Sequence, residues 1–157
     1  MNESVFNPAS LLSEQVARHI FEILPESGMV LIILDKEGNC WPSNSEEFSK
    51  LHIDQVGLKQ LCQRIDDAQE PVISQFDNCS IVSAQLATSK INCGYIIIAL
   101  PHYSPESTLT NLELIEVLLN QVSLIARLIE KNNMLYELLL RHHVSTVDSA
   151  AAAGSLN

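Results

Sequence analysis

Glycine is scarce in this chain, with five widely spaced residues in 157, and that excludes a phosphate-cradling loop, which needs several glycines close together. Basic residues are scarce too. Nine Lys and Arg against 19 Asp and Glu leave a formal net charge of -10, a field that repels phosphate backbones and anionic membrane surfaces and argues against nucleic acid as a direct partner. Cys40, Cys62, Cys79 and Cys93 contain no CxxC pair and none of the spacings that bring thiolates onto one zinc ion. They read as small buried apolar side chains in a reducing compartment. No apolar run approaches the ~18 residues of a membrane span, since MVLIIL and YIIIAL stop at six each. The opening MNESVFNPASLLSEQ lacks the basic start and apolar core of a secretion signal. The expectation is a soluble, cytoplasmic chain. By length it is one domain that buries roughly two thirds of its unfolded surface without a disulfide or metal staple.

Signs of catalysis are also wanting. No nucleophile stands with a base, and Asp66-Asp67 are adjacent on a predicted helix, so they point about 100° apart rather than sharing a substrate. The pair His142-His143 reads as helix-end side chains interacting with exposed carbonyls rather than as a metal site with His102. No enzyme, no metal and no particular cofactor is expected.

What is present is a clear succession of elements. Asn7-Pro8 is a helix start, with a side-chain acceptor at the cap and proline in the first turn, and Leu12, Val16, Ile20 and Ile23 follow at helical spacing. Met29 to Leu34 is a short β-favouring run, and the Asp35 to Asn39 cluster turns it into a second strand around Cys40 and Trp41, making a hairpin. Ser43 and Asn44 each have a glutamate three residues on, the capping-box arrangement, ahead of a short helix through Phe48 and Leu51. A second helix is predicted over about Val56 to Ala68, stopped by Pro71. Three strands follow, Val72 to Phe76, Ser80 to Thr88 and Cys93 to Leu100. In the middle one Val82, Ala84 and Leu86 form an apolar face, whereas Ile81, Ser83 and Gln85 form a mixed face turned to solvent or to a ligand cavity. Strands one and five are apolar on both faces, as central strands of a doubly covered sheet are, and are expected side by side.

The hairpin GMVLIILDKEGNC, the segment EPVISQFDNCSIVSAQL and the closing passage CGYIIIALPHYSPESTLTNLELIEVLLNQVSLIARLIEKN resemble a GAF domain over roughly Pro8 to Asn132. GAF domains close with a glycine-led strand, a loop with Ser-Pro or Thr-Pro-Glu, and a helix of Leu-Leu-x-x-x-Ala-type repeats. LDKEGNCWPSN is equally similar to the opening of PAS domains, which share the antiparallel five-strand plan. The resemblance implies an α+β fold: a central antiparallel sheet of five or six strands with helices on its faces, and a pocket on one face that can hold a small molecule. It also implies dimerisation through the terminal helices and relay of a signal to an output domain. Two departures bear on the ligand. The NKFDE-like motif of cyclic-nucleotide-binding members is missing, and no cysteine stands beside a histidine as in bilin attachment.

Trp41, Phe48, Phe76, Ser83 and Gln85 are the candidates for lining such a pocket, against the alternative that the aromatics are ordinary core. The terminal helix, placed over about 107-143, carries a three-four repeat through Ile115, Leu118, Val122, Ile125 and Ile129, continuing at Asn132, Tyr136, Leu139 and His143. These are the candidate seam of a homodimer, with Asn132 either a register-fixing polar residue or a break. The alternative is a helix that folds back on its own domain. Residues 1-143 thus read as a single sensory domain and 144-157, dominated by small and polar residues, as a disordered tail. With no output domain after it, the chain is expected to act on a partner protein or to be part of a longer regulator. Two other readings are a small cysteine-dependent GAF-type reductase of methionine sulfoxide and a purely structural dimerisation or PAS-like interaction module.

Overall fold

A computed structural model of the protein describes residues 12–23, 28–68, 71–76, 79–87 and 92–154. In chain order these form α1 (Glu14–Ile23), β1 (Val30–Asp35), β2 (Cys40–Pro42), α2 (Ser45–Lys50), α3 (Gln55–Ala68), β3 (Val72–Phe76), β4 (Cys79–Ala87), β5 (Asn92–Pro101), α4 (Pro105–Thr110) and α5 (Leu112–Gly154). The helix start expected at Asn7-Pro8 lies outside the described residues. The strands make one antiparallel sheet in the order β2-β1-β5-β4-β3. β1 and β5 are neighbours, Val30 pairing with Ala99 and Asp35 with Gly94.

Alternation along the strands divides the core into two layers. Val30, Ile32, Leu34, Ile81, Tyr95, Ile97 and Ala99 face one side, where Leu58, Leu61 and Ile65 of α3 cover them. Leu31, Ile33, Val82, Ala84, Leu86, Ile96 and Ile98 face the other, where Ala17 and Ile20 of α1 and Ile115, Leu118, Leu119, Val122 and Ala126 of α5 cover them. Both central strands are therefore apolar throughout because both of their faces are dry. This α+β architecture, an antiparallel sheet with helices on its faces and a long C-terminal helix, is the one the resemblance implied.

Local chemistry sets the connections. Asp35 is buried at the end of β1, where Oδ1 accepts from the backbone of Glu37 at 2.9 Å and of Asn39 at 2.8 Å while Oδ2 accepts from Asn39 Nδ2 at 2.7 Å. One side chain thereby takes two backbone donors of the β1–β2 turn, and the Gly38 N–H donates to the Asp35 carbonyl at 3.4 Å. Asn44 caps α2, its Oδ1 accepting from Glu47 N at 3.0 Å. Gly94 sits in β5 with φ +155, where a Cβ would stand 2.1 Å from the Leu34 carbonyl oxygen. Glycine there lets the two central backbones approach.

The C-terminal end departs from expectation in three ways. The single helix placed over 107-143 is two helices, because α4, capped by Ser104, ends at Asn111 before α5 begins. α5 then runs unbroken through Asn132 to Gly154, so most of the stretch expected to be a disordered tail is helical. Its four consecutive alanines have the highest helix propensity, and they extend a helix already nucleated upstream. Third, the proposed dimer seam faces its own sheet: Ile115, Leu118 and Val122 are buried in the core, and Ile125 and Ile129 pack against it. From Met134 onward every described side chain is exposed.

Candidate functional site

The sequence candidates do not converge on one place. Trp41 points to the α1/α5 side of the sheet and packs against that core, whereas Phe48 and Phe76 pack against the α3-side core. Ser83 and Gln85 follow the parity of Ile81 and share the α3 side. Ser83 is fully buried, donating to the Val72 carbonyl at 3.2 Å. Gln85 Nε2 donates to Asp66 Oδ1 at 3.0 Å. The mixed face of β4 thus lies under α3, with Ile81 and Ser83 buried and Gln85 half-buried at its edge, bonded to Asp66.

Gln85 belongs to a polar cluster that ties β4, β5 and the β1–β2 turn to α3. Asp66 accepts from Tyr95 Oη at 2.7 Å as well as from Gln85, and Lys36 Nζ donates to Tyr95 Oη at 2.8 Å while lying 3.7 Å from Asp66 and 4.6 Å from the Tyr95 ring centre. Partial burial opposes the charged form of Asp66, but the hydrogen bonds from Tyr95 and Gln85, with Lys36 beside it, outweigh burial and hold the carboxyl below its ordinary range. Burial and then the Asp66 carboxylate push the Tyr95 phenol up. The groups face one another, so the cluster works as a polar clamp on the sheet.

A groove of about 600 Å³ lies where α1 meets the edge strand β2. Its walls are Glu14, Arg18, Phe21 and Glu22 from α1 and Cys40, Trp41, Pro42, Ser43 and Ser45 from β2 and the start of α2. That volume falls within the range of small-molecule sites. The rim charges are paired along α1, Arg18 Nε donating to Glu14 Oε1 at 3.2 Å, and Ser43 Oγ accepts from Leu31 N at 3.0 Å, which fixes the strand under the groove. What remains for a ligand is the aromatic pair Phe21 and Trp41 with Pro42 beside them, plus acidic and hydroxyl groups at the edge. Trp41 alone of the sequence candidates lines it. Its α1 wall was not legible as a site, since α1 residues read only as an amphipathic helix. A smaller recess of about 270 Å³ is lined by Leu51, Phe76, Cys79, Pro101 and His102, with Glu47 and Lys50 at its edge, and His102 enters it from a left-handed backbone with φ 65.

Burial disfavours the thiolate at three of the four cysteines. Burial raises Cys40 and Cys79, and burial followed by the Asp66 charge pushes Cys62 up to about 11 against the opposing pull of Lys36. Cys79 and Cys93 are buried, and Cys40 and Cys62 half-buried. Among the described residues no three His, Cys, Asp or Glu side chains are grouped as a metal site would require, and no helix is long and apolar enough to cross a membrane.

No protein-family model matches the chain, and no curated protein matches it in sequence. Among solved structures it is similar to the GAF domain/HD domain protein from Geobacter sulfurreducens, at 10% identity over 79% of this chain and 98% of that one, with a TM-score of 0.40.

Proposed function

We propose that the protein is a non-enzymatic sensory or regulatory module of GAF-like type, which takes a small molecule in the α1–β2 groove and relays its presence along α5 to another chain. One observation carries the reading: Phe21 and Trp41, two walls of the groove, pack against the same buried cluster as Ile115, Leu118, Val122 and Ala126 of α5. A ligand that moves either aromatic ring disturbs packing shared with the helix, because close-packed cores transmit small displacements. α5 is long enough to carry that disturbance outward. Its 43 residues extend about 64 Å at 1.5 Å per residue.

The face of α5 turned away from the sheet supports homodimerisation, by a seam other than the one expected from sequence. Leu114, Val117, Leu124 and Leu128 are each more than half exposed and recur at three-four spacing with Gln121 between them. The stripe continues at Leu135 and Leu138, also exposed. In all, twelve large apolar side chains of α5 are exposed. The six in this stripe, at roughly 60 to 120 Å² each when fully open and little more than half exposed, offer on the order of 300 Å² of apolar surface, less than one side of a standard interface at roughly 800 Å². The raised thiols stand against the reductase reading, which needs a thiolate at neutral pH.

The sole tryptophan makes the groove directly observable. A metabolite panel titrated while following Trp41 emission and melting temperature is expected to yield a compound that changes both, with the emission change lost in Phe21→Ala. A complete panel without any such compound, together with thiol-dependent turnover of methionine sulfoxide, would transfer the assignment to the reductase.

A further inference from the structure

The α1–β2 groove has walls that accept more than they donate. Glu14, Arg18 and Glu22 succeed one another at four-residue spacing on one stripe of α1, with Phe21 beside them. Arg18 is the one cation among the described walls, and two of its nitrogens donate to Glu14 Oε1. Those two charges cancel. Glu22 remains as the net negative charge of the wall, and its contact among the described residues is the His19 ring at 3.4 Å, a cation only when protonated.

The opposite wall adds to the excess of acceptors. Asp35 N donates to the Asn39 carbonyl and Ser43 N to the Leu31 carbonyl, so along this antiparallel ladder Asn39, Trp41 and Ser43 turn their backbone groups toward β1. Cys40 and Pro42 turn theirs the other way, over the edge of the sheet. Pro42 has no N–H. The edge therefore presents two carbonyls against one amide donor. The missing donor, on a strand of three residues, also makes β2 a poor template for an added peptide strand, which leaves a small molecule as the occupant.

Aromatic rings complete the set. Phe21 from one wall and Trp41 from the other are half-buried and held by the core beneath them, and the face of such a ring attracts a cation while still packing against apolar groups. An anion meets a carboxylate, two carbonyl dipoles and the ring faces, all of opposing sign. A neutral apolar compound gains the rings and nothing from the rim. A cation on an apolar body gains from each, and the chain's net charge of -10 draws it to the surface.

We propose that the ligand of the α1–β2 groove is an organic cation, an amine or quaternary ammonium group on an apolar body, its charge met by the Phe21 and Trp41 rings and by Glu22. The assignment rests on the reading of the groove as a small-molecule site and names the class of molecule it takes.

Trp41 emission is the readout, with benzyltrimethylammonium, benzyl alcohol and phenylacetate as cationic, neutral and anionic probes carrying the same ring. The cation is expected to bind about tenfold more tightly than the alcohol, from about threefold each for the carboxylate and the ring faces, with phenylacetate weakest. Glu22→Gln, at an exposed position, is expected to lower the affinity for the cation about threefold and to leave benzyl alcohol binding and the melting temperature unchanged. Phe21→Leu, which keeps an apolar side chain against the core, is expected to cost the cation a similar factor. Glu14→Gln releases Arg18 and should narrow the gap between cation and anion. Benzyl alcohol or phenylacetate binding as tightly as the cation, or a cation affinity that Glu22→Gln leaves unchanged, overturns the cation and leaves the groove a small-molecule site. No response to any of the three also overturns the cation, and the groove itself survives that result only if a compound of the metabolite panel still moves Trp41 emission.

Discussion

Replacing Gly94 by alanine places a methyl carbon 2.1 Å from the Leu34 carbonyl oxygen and 2.8 Å from a Leu12 methyl. The first neighbour is backbone held in the central β1–β5 ladder and cannot swing aside. With the unfavourable φ added, a loss of about 3 kcal/mol or more is expected, or roughly 10 °C in melting temperature for a chain of this size. A variant melting within 2 °C of the parent would mean that the two strands do not approach so closely. Asp66 supports a different prediction. Its folded carboxyl titrates below its unfolded value, so its stabilisation is present above the ordinary carboxylate range and is lost as pH falls through the folded value. The side chain is 43% exposed, so solvent screening leaves about 1 kcal/mol, from charge-assisted hydrogen bonds. Asp66→Asn should therefore be less stable than the parent at pH 7, and the two denaturant midpoints should converge below about pH 4. A gap that is independent of pH would assign the loss to packing rather than charge.

Among the elements, α5 sorts its apolar residues by what lies beside them. Val122 is fully buried and Ile125 half-buried against the sheet, so Val122→Lys with Ile125→Lys is expected to unfold the domain, since each lysine buried without a counter-ion costs several kcal/mol. Leu124→Lys with Leu128→Lys, at exposed positions of the same helix, should leave the far-ultraviolet dichroism and the monomer fold unchanged. If the first pair instead yielded a folded monomer, the five-residue seam read from the sequence would be an interface after all. The strands and α3 make a parallel point about thiols. Two cysteines are buried and two half-buried, and burial raises the thiols of Cys40, Cys62 and Cys79. Alkylation of the native protein at pH 7 followed by mass spectrometry should label all four slowly, and rapid labelling of two or more would be incompatible with their placement.

For the whole molecule the dominant fact is the imbalance between an acidic body and the nearly neutral, largely apolar outer part of α5 from Met134 onward. The association through α5 proposed above would bring bodies of the same sign into one particle, and the repulsion between them is screened over roughly 30 Å at 0.01 M salt and 8 Å at 0.15 M. Self-association should therefore tighten as sodium chloride rises across that range, measured as a fall in the dissociation constant by sedimentation velocity. Weakening with salt would point to ion pairs across the interface, which the composition of α5 does not favour.

The amino-acid sequence alone determined the elements and much of their arrangement. Runs such as Val30 to Leu34 and Tyr95 to Leu100 have no polar face, which requires cover on both sides and places them together at the centre. The Asp35 turn, the Asn44 cap and the glycine opening β5 are local chemistry written in a few adjacent residues. Tertiary structure decided what each face meets. Alternation says that Trp41 and Ser83 each lie on one side of a strand, but only the pairing of Trp41 with Ile33 and of Ser83 with Ile97 places them on opposite sides of the sheet. Periodicity likewise predicts that Ile115, Leu118 and Val122 form a stripe without saying whether a sheet or a second helix covers it. Burial against the chain's own β-strands and burial against another copy place the same demand on a helical side chain, to leave water, and the spacing of residues encodes only that demand.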